Sequence, residues 1–171
     1  MSQAKKAAVM MGSASDMPIM GEAIRQLDHF KVEYLLQVTS AHRTPKRTFE
    51  FIERAEAEGV GVFIIGAGMA AHLAGVVAAH TTRPVIGVPT GGLLGGLDAL
   101  LSTVQMPKGI PVATVAVGKA GAVNAGILAC QILAGDDEEL RARLASHRQE
   151  LAEQVAASEG VARDTLANLL G

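Results

Sequence analysis

Short, largely apolar runs alternate with longer helix-compatible stretches along this chain. Runs of strand length occupy residues 7–11, 32–38, 60–65, 84–88 and 112–117. Stretches with helical periodicity lie at about 17–30, 46–58, 70–80, 97–104 and 122–133. This repeated switch of period is the βα signature of a parallel sheet. Several strands are apolar at successive positions, so helices must cover both faces, which predicts a three-layer, doubly wound, five-stranded α/β sandwich. The expected strand order is 2-1-3-4-5, which reverses between strands 1 and 3 and opens a crevice at the carboxyl ends there. Pro18 and Pro45 fall where first helical turns begin, with Asp16 and Thr44 placed to cap them. A charged tail at about 137–157 repeats Leu140, Leu144, Leu151 and Val155 at near-helical spacing, for packing on its own domain or a neighbour's. Gly91, Gly92, Gly95 and Gly96 mark a mobile or tightly turned loop able to close over a ligand.

The length of 171 residues predicts one α/β domain with a C-terminal helical extension at about 137–171. A net charge of −2 with 19% charged residues supplies no basic field for nucleic acid and no polybasic segment for a membrane surface. Hydrophobic residues make up 49% and mean hydropathy is +0.29, which points to apolar surface shared between subunits of a homo-oligomer. The single cysteine, Cys130, excludes an intramolecular disulfide and a cysteine-cluster metal site, and reads as a small buried apolar residue. The N-terminal apolar stretch is shorter than a signal-peptide core, so a cytoplasmic location is expected. Residues 60–82 carry no Asp, Glu, Lys or Arg, but His72, His80 and four glycines make them strand, loop and buried helix rather than a membrane span.

Three loops following apolar runs carry candidate chemistry. Gly12-Ser13-Ala14-Ser15-Asp16 offers a phosphate backbone N–H groups and the hydroxyls of Ser13 and Ser15, while Asp16 either takes ribose hydroxyls or caps a helix. Ser40-Ala41-His42-Arg43-Thr44-Pro45 sets a proton-carrying imidazole beside a guanidinium suited to phosphate, with the Ser40 and Thr44 hydroxyls in support. The third loop, residues 66–72, fits Gly-x-Gly-x-x-Ala at Gly66, Gly68 and Ala71. A dinucleotide site is disfavoured, because the loop follows the third strand and no acidic residue lies about 20 positions on. Its small residues instead let backbone approach a flat ring. His72 either lines the site or is a structural helix histidine. His29, His80 and His147 read as surface or structural, and Lys108 and Lys119 as solvated charges. Ser102 lacks a nucleophile elbow, and no set of histidines and carboxylates has metal-ligand spacing.

Together, Met11-Gly12-Ser13-x-Ser15-Asp16, Ser40-Ala41-His42-Arg43-Thr44-Pro45, Gly66-Ala67-Gly68-x-Ala70-Ala71-His72-Leu73-x-Gly75, Pro84-Val85-Ile86-Gly87-Val88-Pro89, Val104-Gln105-Met106-Pro107 and Ala120-Gly121-Ala122-x-Asn124-Ala125-Gly126 carry a family resemblance. In this order they resemble the N5-carboxyaminoimidazole ribonucleotide mutase family of purine biosynthesis, class I of the phosphoribosylaminoimidazole carboxylase catalytic subunits. The resemblance implies a flavodoxin-like fold and a homo-octamer with sites near subunit contacts. It implies conversion of N5-carboxyaminoimidazole ribonucleotide to 4-carboxy-5-aminoimidazole ribonucleotide without metal, biotin or ATP. His42 would carry the proton, and Ser13, Asp16, Ser40 and Arg43 would hold the ribose phosphate. Ala67, Gly68, His72 and Leu73 would line the base and carboxylate pocket, with Gly12, Ser15 and Ala41 completing the substrate-binding set. Met17 stands for a family tryptophan, Met69 for a glycine and Ala74 for a proline, and residues 90–96 also depart from the pattern, all of which bears on the pocket rim. One alternative is a sister class that carboxylates aminoimidazole ribonucleotide directly with carbon dioxide, whose second loop reads Ala-His-Lys where this chain has Ala41-His42-Arg43. The other is a flavodoxin-like binding or signalling module, whose acidic signatures after strands 1 and 3 are missing.

Overall fold

Five parallel strands form one sheet in the order β2-β1-β3-β4-β5, as the sequence predicts. The strands are β1 (Lys6–Met11), β2 (Tyr34–Val38), β3 (Val60–Ala67), β4 (Val85–Pro89) and β5 (Ala113–Thr114). The computed structural model describes residues 6–135 and 137–170. Val9 lies opposite Leu36 and Ile64, Ile64 opposite Ile86, and Ile86 opposite Ala113, so one register line crosses the whole sheet.

Successive residues of a strand point to opposite faces, and in β1, β3 and β4 both faces are dry. Ala7, Val9, Met11, Val62, Ile64 and Ile86 join one core, with Met20, Ala23 and Leu27 of α1 (Met17–His29) and Ala122, Ala125 and Ala129 of α5 (Gly118–Leu133). Ala8, Met10, Phe63, Ile65 and Val85 join the other, with Phe51 and Ile52 of α2 (Pro45–Ala57), Leu73 and Val77 of α3 (Leu73–Ala78) and Ala99 of α4 (Leu97–Val104). Small residues set the closeness of α1 to α5: a β-carbon at Gly126 would lie 2.7 Å from the Ala23 carbonyl oxygen.

The element boundaries move where local hydrogen bonds outcompete the pattern. Val32 is not in a strand, because its N–H donates to Leu27 O and, with Lys31 at φ +56°, closes the end of α1. The fifth strand shrinks from 112–117 to Ala113–Thr114, since it lies at the sheet edge and the chain soon turns through Gly118 at φ +76° into α5. The third helix begins only at Leu73, because residues 69–72 make tight turns in which Ala71 N–H donates to Met69 O and His72 N–H to Ala70 O. The fifth helix starts four residues before the expected 122, at Gly118. Asp16 and Thr44 occupy the N-cap positions of α1 and α2, yet neither side chain caps those helices, because both are committed to the loops described below.

The tail forms α6 (Glu138–Leu170), longer than the amphipathic pattern suggests. Its first turns dock on their own domain, where Leu140 is buried, Leu144 packs on the core and Arg143 Nε donates to Phe30 O at 3.1 Å. Farther along, Leu151 and Val155 are exposed, as are Leu36 and Val38 on β2 and Leu97, Leu101 and Val104 on α4. Residues 60–82 are strand, loop and short helix, and among the described residues no helix is long and apolar enough to cross a membrane. Cys130 is buried, and that burial pushes its thiol up to about 12.

Candidate active site

Because β1 has β2 on one side and β3 on the other, the chain leaves their carboxyl ends in divergent directions and leaves a crevice between. A cavity of about 580 Å³ opens there, lined by the loops after β1, β2, β3 and β4.

The first loop is built around one carboxylate. Ser13, extended at φ −153°, caps a single 3-10 turn (Ala14–Asp16): its Oγ accepts from Ser15 N–H at 3.3 Å and lies 2.9 Å from Ser15 Oγ. In return Asp16 Oδ2 accepts from Ser13 N–H at 3.0 Å, completing a capping box. Asp16 Oδ1 accepts from Thr90 Oγ1 at 2.8 Å, tying this loop to the one after β4. Of the two sequence readings of Asp16, the structure supports the site residue, since it lines the cavity, and not the helix cap, since its side chain leaves α1 uncapped and instead returns the bond of the Ser13 cap. Gly12 N–H donates to Gly66 O at 3.1 Å and closes the seam between the first and third loops.

In the second loop hydroxyls fold the backbone back on itself. Thr44 Oγ1 accepts from Ser40 N–H at 2.9 Å, Ser40 Oγ accepts from Arg43 N–H at 3.2 Å, and Thr39 Oγ1 joins Thr44 Oγ1 and Thr48 Oγ1 at 3.0 and 2.9 Å. The turn that results presents His42 and Arg43, both exposed, to the cavity. Among the described residues no carboxylate forms an ion pair with Arg43, so its guanidinium fork is available to an anion.

His42 Nε2 lies 2.8 Å from His72 Nδ1, with the rings edge to face at 80°. One of these nitrogens carries the hydrogen and the other a lone pair, so in this geometry the pair holds at most one positive charge. A proton can therefore pass along the pair while one ring faces a ligand. The sequence left His72 open between pocket and scaffold, and the structure puts it on the cavity wall against the other histidine.

The third loop contributes Ala67, Gly68 and Leu73, and with them Met69 and Ala70. A β-carbon at Gly68 would come within 2.7 Å of Gly91 O and 3.1 Å of Thr90 Oγ1, so only glycine lets these loops touch. The contact is sealed by Met69 N–H to Gly91 O at 2.8 Å and Thr90 N–H to Ala67 O at 2.9 Å. Gly12, Ser13, Ser15, Asp16, Ser40, Ala41, His42, Arg43, Ala67, Gly68, His72 and Leu73 all lie on this one cavity, whereas Thr44, expected to lend its hydroxyl, does not, because that hydroxyl is bonded to the Ser40 backbone.

Sequence reasoning missed Ala70 as a wall residue; of the positions expected to bear on the pocket rim, Met17 and Ala74 do not line the cavity, Ala74 being buried in the core, whereas Met69 and, from residues 90–96, Thr90, Gly91 and Gly92 do. For Thr90 the available signal was the strand order: β4 neighbours β3, so the residue after β4 had to face the same crevice. Behind this loop Asp98 Oδ2 accepts from Leu93 N–H at 3.1 Å, while its buried Oδ1 has no partner among the described residues. Lys108, Lys119 and Ser102 lie off the cavity, and Ser102 Oγ donates to Asp98 O. His29 and His147 form edge contacts with Phe30, and His80 stacks on Phe49. Among the described residues no group of three or more His, Cys, Asp or Glu side chains is placed to hold a metal ion.

The sequence model of the family described as AIR carboxylase matches residues 6–154, nearly the whole folded body. The chain belongs to the AIR carboxylase family. Among its AIR carboxylase relatives, the N5-carboxyaminoimidazole ribonucleotide mutase of Haemophilus influenzae is 55% identical over 150 residues, 87% of this chain and 92% of that one. The Bacillus subtilis protein of the same name is 52% identical over 151 residues, covering 88% and 93% of the two chains. The crystal structure of Treponema denticola PurE superposes with a TM-score of 0.83 at 26% identity, covering 91% of this chain and 97% of that one. The resemblance read from the motifs and the strand order read from the pattern are both borne out.

Proposed function

We propose that this chain is an isomerase of purine biosynthesis that converts N5-carboxyaminoimidazole ribonucleotide to 4-carboxy-5-aminoimidazole ribonucleotide, the activity named for its relatives. The observation that carries the chemistry is the 2.8 Å contact of His42 with His72 beside an unpaired Arg43 on one cavity wall. The Arg43 fork, the Ser13, Ser15 and Ser40 hydroxyls and the first-loop backbone take the ribose phosphate, and Asp16 takes ribose hydroxyls with its remaining lone pairs. Gly12, Ala41, Ala67, Gly68 and Leu73 shape the slot for the flat imidazole.

His42, protonated, gives its proton to N5 as the N5–carboxylate bond breaks, leaving aminoimidazole ribonucleotide and carbon dioxide side by side. The electron-rich C4 then attacks carbon dioxide and forms the new C–C bond. His42 takes the proton from C4, which restores the aromatic ring and returns the histidine to its starting state, so the net change is an isomerisation. Confinement keeps the second step effectively unimolecular. His72 orients the His42 ring through their shared hydrogen. The exposed apolar side chains on β2 and α4 support a homo-oligomer, an octamer by family likeness, working in the cytoplasm.

The test is turnover of purified protein at neutral pH without ATP or metal, offering either the carbamate substrate or aminoimidazole ribonucleotide with bicarbonate. Efficient conversion of the carbamate is expected. A clear preference for the free amine makes the protein a direct carboxylase, and no product from either overturns the assignment.

A further inference from the structure

Two residues other than glycine hold positive φ among the described residues, and they differ in kind. Lys31, at φ +56°, ends α1, where a left-handed residue is an ordinary helix terminator. Met69, at φ +55°, terminates no helix. Its unbranched side chain has no polar atom to support the left-handed region by a local hydrogen bond, as Asn or Asp does, and a glycine would adopt the same backbone without strain. The surroundings impose the conformation: Met69 N–H is bonded to Gly91 O, Met69 O accepts from Ala71 N–H, and Gly68 is pressed against Thr90 and Gly91. Core packing does not offset the strain, because Met69 is 61% exposed. Yet it lies on the wall of the reaction cavity, in the same loop as Gly68 and His72. A strained backbone kept at a site points to a use for the side chain it carries.

Resting on the activity proposed above, we infer that Met69 is a specificity-determining residue that folds its thioether side chain over the bound imidazole and retains carbon dioxide between the two half-reactions. The chemistry fits. Carbon dioxide is small, neutral and apolar, so a charged or hydrogen-bonding cover gains nothing on it, whereas a flexible, polarisable apolar chain fills the gap above a flat ring and keeps water out. Retention favours the carbamate as substrate over free amine with external carbon dioxide, because only the carbamate delivers its carbon dioxide beneath the cover.

The experiment runs the carbamate reaction in ¹³C-bicarbonate with carbonic anhydrase and measures ¹³C in the 4-carboxy product, which reports carbon dioxide that escaped and was replaced. The parent protein should incorporate little label. Met69→Gly should raise incorporation about tenfold, Met69→Ala should fall between, and Met69→Leu should stay near the parent. Met69→Gly should melt no lower than the parent. Should it fail to fold, the Ala and Leu variants still rank incorporation by side-chain size. A parent that converts the carbamate while every variant incorporates as little label as the parent overturns this inference alone. A parent that makes no product from the carbamate overturns the proposed activity and this inference with it.

Discussion

In the loops after β1 and β2 the holding is done by side chains: Asp16 accepts from Ser13 N–H and Thr90 Oγ1, and the hydroxyls of Ser40 and Thr44 bond the turn that presents His42. In residues 90–96 it is done by backbone, through Gly91 O to Met69 N–H and by glycines with φ of +140°, +64° and +89° at positions 91, 95 and 96. The two regions share one cavity. The first places polar groups at defined angles on its wall, as a reaction that moves protons and binds an anion requires. The second brings main chain and apolar side chains close to a ring, and its geometry depends on what a β-carbon would strike.

The largest effect that tests this contrast is on the side-chain half. His42→Asn should lower turnover about 10²–10⁴-fold while nucleotide affinity, followed by calorimetry, changes only a few-fold. If turnover survives, the proton carrier lies elsewhere on the cavity.

Asp16→Ala comes next. It strands the Ser13 N–H and the Thr90 hydroxyl together and should cost about 2–4 kcal/mol in urea denaturation, with a raised KM. Thr90→Val removes only one of those bonds and should cost about 1 kcal/mol, and a cycle across the two positions measures their coupling.

The backbone half is broken by Gly92→Ala. The added β-carbon would fall 2.1 Å from Asp98 Oδ2 and 2.2 Å from Oδ1, so a loss of about 1–3 kcal/mol is expected. Asp98→Ala should relieve much of it, and a fully additive double variant would disprove the clash.

The smallest effect lies in the core beneath both regions. The ordinary Cys130 thiol value of 9.0 is raised by burial to about 12 in the folded chain. The unfolded thiol therefore ionises first: this contribution to stability is whole below pH 9 and is lost as pH rises towards 12. At pH 10 the parent should have lost about 1 kcal/mol that Cys130→Ala keeps, and native Cys130 should resist alkylation at pH 8.

The side-chain half was legible in the sequence because its logic is local. Ser13 and Asp16 lie within four residues, and so do Ser40 and Arg43, so spacing alone suggests their turns. The pairing of His42 with His72 spans 30 positions, and that of Thr90 with Asp16 spans 74, so each histidine was visible as a candidate and their contact was not. The backbone half was legible only as a cluster of glycines. Which of them needed positive φ, and that Met69 shares it, follows from contacts between loops.

By itself the sequence determined the alternation of strand and helix, the order of the strands and the three loops that carry the polar chemistry. A period of two or of 3.6 residues and a hydroxyl three positions from its partner are properties of neighbouring residues, written in the chain before it folds. Only the tertiary structure decided that the histidines share a hydrogen, that Thr90 braces Asp16 and that Met69 stands strained at the cavity rim. Those distances are set by the register of β1, β3 and β4 and by the space that Gly68 leaves open, quantities that exist only once distant segments have been packed side by side.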